Sequence, residues 1–213
     1  IKEKFISMPK KYEEKYDAIE ADMDNKWIRE MFGGGDLTIF YNGIRRAVNQ
    51  IENENSPKIK YIIDKIKNSK RKHKFVVFSH FIQSGIVPMM KELDDLNIKY
   101  AHITGETSKK KRTEYVNKYN SNKIKVLFIS KAGGEGLDLK ETRNVMILEP
   151  TWNMAQIEQI IGRAVRYQSH ANLEEKDRKV YAYRLYLIRE KESAPKKLKE
   201  LTNHKDENNK RAL

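Results

Sequence analysis

Cysteine is missing from all 213 residues. That excludes disulfide staples and thiolate metal sites, and it fits a reducing compartment. The five histidines, 73, 80, 102, 170 and 204, show no ligand spacing, so no structural metal is expected. No apolar run approaches the roughly 18 residues that a membrane span needs, and no signal peptide is visible. The expectation is an intracellular chain with no membrane partner. Proline (five) and glycine (ten) are sparse, and there is no internal repeat or low-complexity tract. Two motifs of phosphate chemistry are also missing: there is no Gly-x-x-x-x-Gly-Lys-Ser/Thr loop and no Asp-Glu-x-His or Asp-Glu-x-Asp run.

Positive charge is plentiful. Lys plus Arg number 43 against 30 Asp plus Glu, giving a net charge of +13 and a pI near 9.6. Such a balance favours polyanionic partners, nucleic acid first and an acidic membrane surface second. The lysines are spread along the chain, so a generally lysine-rich proteome explains part of it. The chain opens at Ile1 rather than Met, which predicts a piece excised from a longer polypeptide.

In chain order, residues 1–56 read as a helical accessory segment. Pro9 to Met23 places Tyr12, Tyr16, Ile19 and Met23 at helical spacing after Ser7. Gly33-Gly34-Gly35 reads as a flexible connection, and Leu37 to Ile51 as a second helix. Ser56-Pro57 starts a third, with Ile59, Ile62, Ile63 and Ile66 on one stripe. Strand and helix then alternate to residue 188. Strands are expected at Phe75–Phe78, Lys99–Ile103, Val126–Ile129, Val145–Leu148 and Val180–Ile188, and helices at Gln83–Leu96, 107–119 and Ala155–Arg166. Alternation of this kind implies an α/β fold, a parallel sheet with helices on both faces. Residues 189–213 form a charged tail poor in large apolar residues.

The stretch from Ile124 to Gln168 carries the most chemistry. A buried strand, Val126–Ile129, runs into Ser130–Gly136, with glycines at 133, 134 and 136 where a backbone can approach a phosphate. The helix from Ala155 buries Ile157, Ile160, Ile161, Ala164 and Val165. It leaves Gln156, Gln159, Arg163 and Arg166 projecting together, an arrangement that suits an anion. Gly162, mid-helix, costs about 1 kcal/mol relative to alanine and suggests a close approach there. Thr104-Gly105, where a strand meets a helix, can offer a hydroxyl and backbone N–H groups to a phosphate.

Gln159-Ile-Ile-Gly162-Arg163-Ala-Val-Arg166 resembles the last signature motif of superfamily 2 helicases and translocases. Ser130-Lys-Ala-Gly-Gly-Glu-Gly136-Leu-Asp138-Leu resembles the motif before it, in family order and at family distance. The resemblance covers residues 37–188 and implies a RecA-like three-layer lobe over 57–188, preceded by the helical segment 1–56. It implies that Arg166 and Arg163 are arginine fingers for ATP, and that Gln159, Asp138, Gly136 and Glu135 contact the nucleotide. Asp138 would meet the ribose hydroxyls or the motif between lobes. Ser79, His80, Thr104, Gly105, Ser130 and Lys131 would face nucleic acid, and Trp152 would stack on a base or support the arginine helix.

The phosphate loop and the acids that hold Mg²⁺ belong to a first lobe, whose motifs are not in this chain. The chain should therefore hydrolyse ATP negligibly by itself. Gln159, where DEAD-box RNA helicases carry His, argues for DNA ahead of RNA. Ser169-His170 and the strand after Arg178 resemble poxvirus and large-DNA-virus transcription ATPases, implying the virion or infected-cell cytoplasm and transcription machinery as a partner. Trp152-Asn153 resembles Swi/Snf-type ATPases, which would imply the nucleus. A non-enzymatic nucleic-acid-binding module and an interaction scaffold are the readings from other classes.

Overall fold

The computed structural model describes residues 1–31, 46–133, 136–149, 158–159, 161–162, 164, 166 and 169–189, with side chains for all of these except 22–31. Strand β1 (Lys2–Ser7) leads into helix α1 (Lys10–Met31). A small hairpin, β2 (Gln50–Ile51) and β3 (Glu54–Asn55), precedes α2 (Pro57–Lys67). Then come β4 (Lys74–Phe78), a π-helical turn at Ile82–Ile86, α3 (Val87–Asp95), β5 (Tyr100–Ile103) and α4 (Lys109–Asn120). The remaining strands are β6 (Val126–Ile129), β7 (Thr142–Ile147) and β8 (Tyr181–Ile188).

Among the described residues, six strands make one sheet in the order β1-β8-β7-β4-β6-β5, and every neighbouring pair is parallel. Period-two alternation along the central strands sorts the core onto two faces. Val76, Phe78, Leu127, Ile129, Val145 and Ile147 point to one side, together with Tyr119, Leu137, Leu139 and Ala164. Phe75, Val77, Val126, Phe128 and Met146 point to the other, against Ile59, Ile62 and Ile66 of α2 and Met89 and Leu93 of α3. Burying one such side chain contributes about 1.5–3 kcal/mol, so both layers are held largely by this packing.

Local signals set the helix starts. Ser56 caps α2, its hydroxyl accepting from the Ile59 N–H, with Pro57 in the first turn where no N–H is missed. Ser108 caps α4 by the same contact to Lys111.

The first 56 residues are not simply helical, as the sequence suggested. β1 is an edge strand of the main sheet, in register with β8 from Lys2↔Tyr183 to Ser7↔Ile188. Phe5 stacks on Tyr186 at 5.0 Å, and Glu3 lies 3.6 Å from Arg184. The helix expected to end at Ile51 gives way to the hairpin, because Glu52 and Asn53 both take positive φ (47° and 66°) and reverse the chain. The expected triple-glycine connection, most of that second helix and the charged tail lie outside the described residues.

Candidate nucleotide and nucleic-acid interface

Parallel strands deliver their carboxyl ends to one edge of a sheet, and the candidate residues collect there. β4 ends in Ser79-His80, β5 in Thr104-Gly105, β6 in Ser130-Lys131, and β7 runs on through Leu148 to Glu149.

Glu149 organises the first of these ends. Its side chain is buried yet accepts three hydrogen bonds: from the Asn49 amide, from the Ser79 hydroxyl at 2.8 Å and from the His80 backbone N–H at 2.8 Å. A hydroxyl has one proton, and the bond to a carboxylate is the stronger use of it. Ser79 Oγ then accepts from the Phe81 N–H at 3.1 Å. The π-helical turn closes over it: a Cβ on Gly85 would lie 2.3 Å from that oxygen. Ser79 is thus turned inward onto Glu149 and does not meet solvent, unlike the outward role the sequence implied. Half-buried His80 packs edge-on against Phe78, ring centroids 4.9 Å apart.

The second and third ends are also compact. The Thr104 N–H donates to Thr107 Oγ1 at 2.9 Å, and the Thr107 N–H returns to the Thr104 carbonyl at 3.2 Å. Thr104 therefore spends its own amide inside the turn. Gly133 passes so close beneath β5 that a Cβ there would stand 2.0 Å from the Ile103 carbonyl oxygen. This crossing requires glycine. Thr104 and Ser130 are buried, whereas Gly105 and Lys131 are exposed. Trp152, Glu135 and Arg163 lie outside the described residues.

The candidate nucleotide residues come together differently. Leu137 and Leu139 both insert into the core, so Asp138 between them faces out. Gly136 has φ +70°, a value natural to glycine. Asn120 fixes the loop, donating to the Asp138 carbonyl at 2.9 Å and accepting from the Lys140 N–H at 2.8 Å. Gln159, Gly162 and Arg166 are exposed, while Ala164 is buried and Ile161 packs against it, matching the two faces read from the spacing.

Arg166 Nη1 lies 3.5 Å from Asp138 Oδ1, joining two motifs 28 residues apart. With both side chains about half exposed, the pair contributes about 0–1 kcal/mol. An arriving polyanion can displace Asp138 from the arginine at little cost.

The sequence reading missed Glu149, Asn49 and Asn120 as organisers. A glutamate directly after the apolar run Val145–Leu148, at the edge where parallel sheets bind ligands, was the available signal for the first.

A six-stranded parallel α/β sheet with these motifs at its carboxyl edge is the architecture of a helicase carboxyl-terminal lobe. Residues 57–168 match the model of the helicase conserved C-terminal domain, and the chain belongs to that family. Among curated relatives, a protein of Acanthamoeba polyphaga mimivirus that bears the name of an ATP-dependent RNA helicase is 41% identical over 147 residues. The match covers 68% of this chain and 33% of the relative. Nucleoside triphosphatase I of Choristoneura fumiferana entomopoxvirus is 36% identical over 94 residues, 42% of this chain and 14% of that protein. The chain thus spans a third or less of these relatives. The SWI2/SNF2 ATPase carboxyl-terminal domain of Sulfolobus solfataricus superposes with a TM-score of 0.62 at 18% identity, over 88% of this chain and 78% of that one, a likeness of fold.

Proposed function

We propose that this chain is the second lobe of an ATP-dependent nucleic-acid helicase or translocase, and that its outward arginine face completes an ATP site built mainly by another lobe. The observation that carries this reading is the placement of Arg166: exposed, on the same outward face as Gln159 and Gly162, and held among the described residues by a weak 3.5 Å contact to Asp138. In phosphoryl transfer the protein chiefly positions groups and neutralises charge on the γ-phosphate, and an arginine supplied across an interface does the second job. Arg163 is the second candidate finger. Mg²⁺ would be held by the acids of the other lobe.

Gly105 and Lys131 would then touch a nucleic-acid backbone, with His80 beside them. Backbone contacts would dominate, and binding would weaken with salt. Gln159 inclines the reading to DNA. The name of the mimivirus relative points to RNA instead. The viral relatives are what favour a role in viral transcription over a Swi/Snf-like one.

Arg166→Ala in the full-length protein is the test. The expected result is loss of at least about 10³-fold in ATP turnover with nucleic-acid affinity within about twofold of the parent. Loss of both activities, or of neither, would contradict the assignment.

A further inference from the structure

Beyond the motif itself, the chain turns at Ser169-His170, two residues only 7% and 9% exposed. His170 Nε2 lies 2.7 Å from the Thr142 carbonyl oxygen, which can only accept, so Nε2 carries the proton. Nδ1 lies 2.7 Å from Ser169 Oγ, and in the neutral ring it accepts from that hydroxyl. In that form the ring is a donor on one side and an acceptor on the other. Around it, the Ser169 N–H donates to the Arg166 carbonyl at 3.0 Å, and the Glu141 N–H donates to the Ser169 carbonyl at 2.8 Å.

The anchor runs deeper. Thr142 opens β7, and its hydroxyl is 2.9 Å from the hydroxyl of Tyr119, a fully buried side chain in the last turn of α4. The next residue, Asn120, holds the backbone of Asp138, the partner of the Arg166 guanidinium. Both ends of Arg166 are thus referred to one place, the last turn of α4: its main chain through Ser169, His170 and Thr142, and its head group through Asp138.

We infer that His170 is a positioning residue that latches the end of the arginine helix to β7 and so sets where Arg166 stands. This rests on the reading of Arg166 as an ATP-contacting residue. Misplacing such a group by about 1 Å can cost on the order of 10²-fold in rate, whereas uniform substrate binding need not change.

The experiment uses the full-length protein and the variants His170→Leu, His170→Gln, Ser169→Ala, Arg166→Ala and Arg166→Ala/His170→Leu. Leucine fills the space but removes both hydrogen bonds. Glutamine restores a donor towards Thr142. With His170→Leu, kcat should fall about tenfold or more with KM for ATP within about twofold, and His170→Gln should recover most of kcat. Ser169→Ala should sit between them and covers the case in which the leucine variant fails to fold. The double variant should be no worse than Arg166→Ala alone, since both remove one function.

Amide hydrogen exchange at Glu141 and Ser169, measured without nucleotide, reads the latch independently of turnover and should quicken in His170→Leu. Unchanged exchange would overturn the latch whatever turnover did. Faster exchange with normal kcat, in a protein that Arg166→Ala inactivates, would overturn positioning. Equal impairment by glutamine and leucine would do the same. If Arg166→Ala keeps its activity, the arginine assignment itself has failed, and positioning for catalysis falls with it.

Discussion

Two buried charges sit at opposite ends of the same sheet, Glu149 beyond the carboxyl end of β7 and Lys74 at the amino end of β4, each 2% exposed. Their surroundings differ. Glu149 is met by three donors, from Asn49, Ser79 and His80. Among the described residues, Lys74 donates to the Tyr119 carbonyl at 3.0 Å, with the Tyr119 ring 4.7 Å away and the Glu141 carboxylate 3.7 Å away. Burial therefore prevails over Glu141 and pushes the Lys74 ammonium down to about 8. The contrast shows what a buried charge is for at each end. At the carboxyl edge it ties the ends of β4 and β7 and the hairpin segment into one support for the candidate interface. At the amino edge it is a cost carried by the fold.

The comparison breaks most visibly at Glu149. Glu149→Leu leaves the Asn49 amide and the His80 N–H short of an acceptor, while the Ser79 hydroxyl can turn to the Phe81 carbonyl 3.0 Å away. It should destabilise by about 3–5 kcal/mol, read from urea unfolding. Lys74→Met should stay within about 1 kcal/mol of the parent at pH 7, since a buried charge replaced by an apolar side chain of similar volume is often neutral. Comparable losses for the two would erase the distinction.

The pH dependence sharpens it. Lys74 titrates near 8 when folded against 10.5 for the free side chain. Between those values the unfolded chain binds the proton that the folded chain has released, so stability rises with pH. The cost is felt in full below about pH 8 and is relieved towards pH 10.5, a gain of at most about 3 kcal/mol. Lys74→Met should lack this component when urea midpoints are compared at pH 7.5 and 10. A parallel pH profile in the variant would contradict the placement of the charge.

Gly162→Ala is the smallest change. A Cβ there meets nothing within 4 Å, so no contact within the described chain requires glycine. Alanine should stabilise the helix by about 1 kcal/mol. If the glycine instead leaves room for a nucleotide or a partner lobe, turnover of the full-length protein should fall even as the melting temperature rises. Unchanged turnover would remove the case for close approach.

The central sheet was legible because β4 and β6 are buried on both faces, so Phe75–Phe78 and Val126–Ile129 are unbroken apolar runs and the strand limits fell within a residue or two of those expected. β1 was not. An edge strand carries lysines that guard against further pairing, and Lys2-Glu3-Lys4-Phe5-Ile6-Ser7 becomes a strand only through β8, about 180 residues later in the chain. The hairpin at Gln50–Asn55 escaped because its turn is Glu52-Asn53 rather than a glycine-containing pair. At the site, helical spacing was enough to expect Gln159 and Arg166 on one face and Ala164 on the other. What spacing could not supply was the inward rotation of Ser79, which depends on a carboxylate 70 residues away, or the pairing of Asp138 with Arg166.

The most direct measurement is ATP turnover by this chain beside the full-length protein, each with and without duplex DNA and RNA. The account predicts a silent chain and a full-length enzyme stimulated by nucleic acid, the preferred polymer naming the strand it tracks. Turnover by the isolated chain would contradict a site divided between two lobes and would leave the exposed arginine face without its assigned role.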